Sequence, residues 1–228
     1  MLPSVQTAGI PCASAGKHDR VPIRPLSTLA GIAAPPLCPC CAGPRGGGEA
    51  ICVGCGRALA GCPARLEPGP PGVELACAAG PYEGVIRELV VALKFRGLLA
   101  VAAVAARAMA GACPERLLRG ELVPVPAAPL RRRWRGFDPA EELALALASC
   151  TGLSLAACLR REQGPRQMGR PRAVRLADGP RVELRGLAPS CALLVDDVHT
   201  TGATLASSAR ALRSGGCREV VALTLARA

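Results

Sequence analysis

Apolar residues recur with helical periodicity in the first half of the chain. Residues Gly84–Arg96 place them on one stripe, which predicts an amphipathic helix ended by Gly97. An alanine-rich helix is predicted to follow at about residues 99–111. The two helices together would cover one face of a neighbouring element.

Capping residues mark the start of a third helix. Asp138 suits the N-cap, Pro139 the first helical position and Glu141 the third, where it would close a capping box. This helix is predicted to run to about Cys150, with Gly152 just beyond its end.

The end of the chain carries its most regular pattern: a strand at 191–195, a loop, a helix from about Ala203 to Ser214 and a strand at 219–225. A short strand is also predicted at 121–126. Strands that alternate with helices indicate an α/β fold with a parallel sheet. With one Trp, one Tyr and two Phe, its core must be built from Leu, Val and Ala.

Several segments follow neither period. A disordered extension is predicted at residues 1–36, a linker at 67–72 and an arginine-dense loop at 130–136. Residues 164–189 are polar, and so long a loop inside a compact domain is usually a lid or a binding element. Residues 143–159 are uncharged but interrupted by polar side chains, so no membrane segment is predicted.

Charge and cysteine content narrow the classes of function. The net charge of +11 at pH 7 comes almost wholly from arginine, since Lys17 and Lys94 are the only lysines. It predicts affinity for polyanions, although the richness in Ala, Arg, Gly and Pro is also typical of a GC-rich genome, the simpler explanation. Without a recognisable secretion signal the chain is predicted to be cytoplasmic, where clustered cysteines are more often metal ligands than disulfides.

A compact cysteine cluster lies within residues 37–66, which contain almost no large apolar side chains. Cys38 and Cys41 form one Cys-x-x-Cys pair and Cys52 and Cys55 a second, and this spacing predicts a zinc-ribbon-like module with one tetrahedral zinc. Cys40 competes with Cys41 for the second position. Free or redox-active thiols are the less favoured interpretation.

The loop between the last two strands carries the clearest candidate chemistry. Asp196 and Asp197 follow an apolar strand, and a turn rich in threonine follows them, with Gly202 free to let a ligand approach its backbone. The next helix would aim its N-terminal amides at the same point. Carboxylates for ribose hydroxyls beside donors for a phosphate predict a site for a sugar 5′-phosphate, whereas a solvated Asp pair with a Thr cap is the simpler alternative.

Residues 195–204 resemble the phosphoribosyl pyrophosphate (PRPP) signature of type I phosphoribosyltransferases. Residues 80–84, 93–97, 123–126 and 135–138 extend the likeness, and over about residues 37–228 the chain resembles the ComF family of competence-associated proteins. The resemblance implies a Rossmann-like parallel sheet of the phosphoribosyltransferase kind over residues 73–228, preceded by the zinc-ribbon module. It also implies Mg²⁺ bound with PRPP.

The resemblance assigns roles to further residues of this sequence. Asp196 and Asp197 would be the catalytic acids, and the flexible loop over the site would contribute Gln167 and Arg175. The family usually carries Asn where Asp138 stands. The phosphate would be held by Val198, His199, Thr200, Thr201, Gly202, Ala203 and Thr204, and the pyrophosphate by Pro124, Val125, Pro126 and Arg135.

Two functions follow from the resemblance. The first is binding of PRPP or another ribose 5-phosphate compound, with phosphoribosyl transfer as the implied reaction. The second is a non-catalytic module in DNA uptake or repair that binds single-stranded DNA or a helicase-like competence protein. The arginines around Trp134 fit pyrophosphate binding, nucleic-acid binding with base stacking, or a solvated loop with Trp134 in the core, and sequence leaves these three open.

Overall fold

The computed structural model describes residues 36–162 and 180–228, which belong to one compact unit. The predicted extension at 1–36 lies outside the described residues except for Pro36. Gln167 and Arg175, the residues assigned to a flexible loop, lie outside them as well.

The fold is built on a five-stranded mixed sheet in the order β1-β2-β7-β6-β3. Strands β2, β7, β6 and β3 run parallel, and β1 is antiparallel to β2. A separate antiparallel pair is formed by β4 and β5. The strands are β1 Arg65–Pro68, β2 Leu75–Pro81, β3 Glu121–Pro124, β4 Leu159–Arg161, β5 Val182–Leu184, β6 Cys191–His199 and β7 Glu219–Arg227.

Helices cover both faces of the sheet, as expected where parallel strands must be buried on both sides. Alternate residues of β6 show the division: Leu193 and Val195 enter the larger apolar core with α2, α3 and α5, whereas Leu194 packs in the smaller core with α6. The predicted α/β class is therefore confirmed. The helices are α1 Val53–Ala60, α2 Gly84–Arg96, α3 Val101–Ala112, α4 Pro129–Arg135, α5 Pro139–Thr151 and α6 Ala203–Ser214, with a 3₁₀ turn at Glu115–Leu117.

Capping explains why the predicted helices end where they do. Gly97 and Gly152 adopt left-handed conformations after α2 and α5, and Asp138 caps α5 by accepting a hydrogen bond from the Ala140 amide. The predicted capping box does not form as expected, because the Glu141 carboxylate accepts a hydrogen bond from Arg132 of α4 at 3.1 Å and so links two helices.

Two segments predicted as loops contain regular structure. Residues 130–136 belong to α4, which begins with Pro129 and ends at left-handed Gly136. Trp134 on this helix is 77% exposed, which excludes the one of the three interpretations that placed it in the core. Within residues 164–189 the structure has β5, because its residues pair with β4 of the preceding segment. The described helices include none long and apolar enough to cross a membrane.

Candidate functional site

The four cysteines predicted as ligands converge in space. Their sulfur atoms all lie within 4.8 Å of one another, and the Sγ atoms of Cys41 and Cys52 are 3.6 Å apart. Tetrahedral thiolates around zinc, with Zn–S bonds of about 2.3 Å, have sulfurs roughly 3.8 Å apart. The cluster therefore has the chemistry and the spacing to bind zinc.

Backbone amides point at this cluster, as in a metal-binding knuckle. Cys52 caps α1, and its amide approaches the Cys38 sulfur at 3.4 Å. Burial raises the pKa of Cys38, but hydrogen bonds from the amides of Cys52, Cys40 and Cys41 outweigh it and lower the pKa to about 6. By contrast, burial and the charge of Cys38 raise the pKa of Cys40 to about 12. The convergence of the four sulfur atoms thus favours Cys41 over Cys40.

The second site is a cavity of about 400 Å³ at the carboxyl ends of β3 and β6. Asp196 and Asp197 lie in its wall because β6 continues to His199, beyond the predicted end at Val195. Pairing of β6 with β7, as far as Arg227, carries this extension. The cavity is lined by Tyr82, Lys94, Phe95, Val125, Pro126, Ala127, Ala128, Arg131, Arg135, Asp138, Pro139, Ala140, Arg161, Asp196, Asp197, Val198, Thr200, Thr204 and Ala228.

The two neighbouring acids have different surroundings. Asp197 forms an ion pair with Lys94 of α2, whose ammonium is 2.8 Å and 3.0 Å from the two carboxylate oxygens. Asp196 accepts a hydrogen bond from the Asp197 amide at 2.8 Å. Burial, with the charge of Asp197 beside it, raises the pKa of Asp196 well above its ordinary range. One acid is therefore neutralised by a lysine and the other tends to hold its proton.

Three arginines also line the cavity. Arg131 and Arg135 come from α4 and Arg161 from β4. Burial, followed by the charge of Arg131, lowers the pKa of Arg161, which nevertheless remains a cation at neutral pH. Arg135 lies over the Phe95 ring, 5.4 Å from its centroid, and its Nε is buried without a hydrogen-bond partner among the described residues.

Asp138 also lines the cavity. Its two oxygens accept hydrogen bonds from the amides of Ala127, at 2.9 Å, and Ala140, at 3.1 Å. Burial raises the pKa of Asp138, although both amides act in the opposite direction. A carboxylate can accept both bonds at once, which explains an acid at this position: it fixes the turn between β3 and α4 to the start of α5.

The turn from β6 to α6 is held by polar contacts from residues that do not line the cavity. Arg227 donates hydrogen bonds to the carbonyls of His199 and Thr200, at 3.3 Å and 2.9 Å. His199 itself is buried, 3.5 Å from Glu67, and burial followed by the charge of Arg227 lowers its pKa. His199 is therefore neutral at neutral pH and supports the turn from beneath, adding no positive charge for a phosphate.

Gly202 permits the close packing of this turn. Its φ is +76°, and an added Cβ would lie 2.8 Å from the Cβ of Pro70 and 3.1 Å from His199 Nε2. We expect Gly202→Ala to lower the free energy of unfolding by about 1–2 kcal/mol through backbone strain and by about 1–3 kcal/mol more through overpacking. Urea denaturation would measure both.

Gly216→Ala is the matched control, because Gly216 has a φ of +92° but nothing within 4 Å of an added Cβ. It should therefore show the strain alone. Equal losses in the two variants would mean that Pro70 and His199 move aside and that the turn is not tightly packed.

The structure brings together part of the predicted site. Asp196, Asp197, Val198, Thr200, Thr204, Val125, Pro126 and Arg135 line the cavity. The cavity wall does not include His199, Thr201, Gly202, Ala203 or Pro124. Of these, Pro124 is buried in β3 opposite Val195, and Thr201 accepts a weak hydrogen bond from the Ala203 amide at 3.4 Å.

Sequence reasoning assigned no role to Lys94 or Arg161, and it included Arg131 only in the arginine run around Trp134, with three interpretations left open. Lys94 is one of two lysines in an arginine-rich chain and occupies the last turn of α2. The rarity of lysine was a signal in the sequence, because a lysine in an arginine-rich chain suggests a position that requires a compact ammonium group. Arg161 gave none, since its placement depends on the pairing of β4 with β5.

Comparison with known proteins does not assign this chain to a family. No protein-family model matches it, and no curated protein does.

Proposed function

We propose that the cavity binds a ribose 5-phosphate compound such as PRPP, as the resemblance of residues 195–204 to the phosphoribosyltransferase signature implies. The observation that supports this most is the shared wall: Asp196 lies in the same cavity as Thr200 and Thr204. Asp196 would bond to the ribose hydroxyls. The threonines and the first amides of α6 would bind the 5′-phosphate.

Phosphoribosyl transfer is the reaction that this binding mode would serve. Arg131, Arg135 and Arg161 line the same cavity, and their guanidinium groups would stabilise the negative charge of a departing pyrophosphate. No described residue of the cavity selects an acceptor base by a recognisable pattern. Binding is thus the primary proposal, and transfer depends on it.

Calorimetry with ribose 5-phosphate, in buffer containing Mg²⁺, tests the binding proposal. We expect a single site, with ribose and inorganic phosphate each weaker by about tenfold or more, because each supplies half of the contacts. Asp196→Ala should weaken ribose 5-phosphate by about tenfold, or about 1.4 kcal/mol. Glu183→Ala, on β5 outside this cavity, is the control. Absence of binding by both ribose 5-phosphate and PRPP would contradict the proposal.

The cysteine cluster is proposed to hold a structural zinc ion. Cys38, Cys41, Cys52 and Cys55 supply four sulfurs, which closes the coordination sphere and leaves no position for a substrate. Zinc would therefore stabilise residues 37–62 without taking part in chemistry at the cavity.

A second function, nucleic-acid binding, is favoured by the surface beside the cavity. Arg133 of α4 and Arg160 of β4 border a neighbouring concavity, and Trp134 on the same helix is 77% exposed. Exposed arginines with one free aromatic ring suit a single strand, whose phosphates and bases they would contact. This arrangement carries the proposal of a module for DNA uptake or repair.

A salt titration tests this second function. A single-stranded oligonucleotide should bind with an affinity that falls steeply with salt, and Arg133→Gln should reduce the log–log slope by about 0.7. Arg210→Gln, an exposed arginine on α6, should leave the slope unchanged. An affinity that does not vary with salt would contradict nucleic-acid binding.

A further inference from the structure

Lys94 forms an ion pair with Asp197 in the lining of the cavity. Its ammonium contacts both oxygens of Asp197, and the side chains of Lys94 and Asp197 are only 21% and 8% exposed. The lysine reaches this point from α2, on the face of the sheet that carries the larger core. The pair is therefore a built part of the cavity wall and not a surface contact.

The remaining carboxylate oxygens of the cavity are largely occupied as well. Asp138 uses both oxygens to accept amide hydrogen bonds, and Asp196 uses one to accept the bond from the Asp197 amide. Within residues 36–162 and 180–228, the other oxygen of Asp196 is the one side-chain carboxylate oxygen of the cavity without a protein partner. Mg²⁺ in proteins is bound through one or two carboxylates together with ligand phosphates, so these side chains, with one free carboxylate oxygen, do not form a site that holds the ion by themselves.

The protein itself supplies the positive charge that an anionic ligand needs. Arg131, Arg135 and Arg161 line the same cavity as the acids. Three guanidinium groups offer several N–H donors and positive charge to the oxygens of a bare phosphate or pyrophosphate.

We propose that Lys94 takes the place of a divalent cation at Asp197, so that the cavity binds its phosphorylated sugar as a free anion without Mg²⁺. The inference rests on the proposed function and specifies its ligand: an uncomplexed sugar phosphate. Lys94 acts as a specificity-determining residue, because its ammonium cancels the charge of Asp197 that would otherwise repel the ligand.

The test compares binding of ribose 5-phosphate and PRPP by calorimetry in EDTA and in Mg²⁺. Wild-type protein should bind both ligands in EDTA within about threefold of its affinity in Mg²⁺. Binding in Mg²⁺ that weakens by more than about tenfold in EDTA would overturn the role of Lys94 but leave the proposed function intact. Binding in neither buffer would overturn the proposed function itself.

Lys94→Met adds a second arm, measured where circular dichroism shows the variant folded. Without the ammonium, binding in EDTA should fall by about tenfold or more, and Mg²⁺ should restore much of it, because Asp197 is then free to attract a cation. Arg87→Met removes a cation from the same helix outside the cavity and should change neither affinity. A Lys94→Met variant that binds like wild type in EDTA would overturn the inference, and the wild-type arm decides the question if the variant does not fold.

Discussion

Purified protein should contain one zinc ion per chain, and its removal should unfold residues 37–62. This segment contributes few side chains to the core, chiefly Cys38, Ile51 and Leu59, so its own burial cannot hold it together. Structural zinc contributes about 10–16 kcal/mol of apparent binding free energy in isolated zinc-finger peptides near neutral pH. Loss of the ion should therefore lower the stability of this segment more than substitution of any single side chain outside the cluster.

Hydrogen exchange gives the sharpest measurement. The Cys38 amide bonds to the Gly43 carbonyl and the Ala42 amide to the Cys38 carbonyl, both at 2.8 Å. After chelation these amides should exchange at least about 100-fold faster, which corresponds to a loss of about 2.7 kcal/mol of local stability. The amides of β6 and β7 should keep their protection from exchange, since these strands are flanked on both sides in the five-stranded sheet.

Two serine variants separate the competing ligands. Cys41→Ser should abolish stoichiometric zinc, whereas Cys40→Ser should retain it, because the Cys40 sulfur lies outside the group of four that converge. Metal analysis of the dialysed proteins would decide. Equal retention in both variants, or metal-free wild-type protein, would contradict a four-cysteine zinc site.

The parts of the fold that sequence predicted are those determined by local chemistry. The bounds of α2 follow from its apolar stripe and from Gly97, and those of α5 from Asp138 and Gly152, each within a few residues of its helix. The paired cysteines were equally readable, because metal geometry restricts ligand spacing.

What sequence missed depends on contacts between distant segments. The Lys94–Asp197 pair joins residues 103 positions apart, and no periodicity reveals it. β5 forms because it pairs with β4, and the sequence of its own three residues does not predict that pairing. For α4 a local signal was present, because Pro129 precedes the arginines and Gly136 follows them. The run of arginines was nevertheless interpreted as a loop.

The same dependence explains why the candidate site was predicted only in part. The alternation of β6 sends Asp196 and Asp197 to different surroundings, and that division follows from the strand continuing to His199 beside β7. Sequence alone placed both acids in one loop with one role. The structure gives Asp197 to Lys94 and leaves Asp196 as the acid with a free oxygen toward the cavity among the described residues.

Lys94→Met should lower the free energy of unfolding by about 3–5 kcal/mol, because it leaves the Asp197 carboxylate buried and uncompensated. Urea denaturation monitored by circular dichroism would measure the loss. Arg87→Met is the matched control: its partner Glu88 is a surface acid, and such pairs contribute about 0–1 kcal/mol. A loss for Lys94→Met no larger than for this control would mean that water already solvates Asp197.

The double variant Lys94→Met/Asp197→Leu distinguishes an unpaired charge from lost packing. Removing both charged groups eliminates the uncompensated carboxylate, so the double variant should be more stable than Lys94→Met alone. If the loss came from the lysine stem instead, the second substitution would add to the first. A double variant that is more stable than the wild type but no longer binds ribose 5-phosphate would show that the chain keeps this buried ion pair for its ligand at the expense of its own stability.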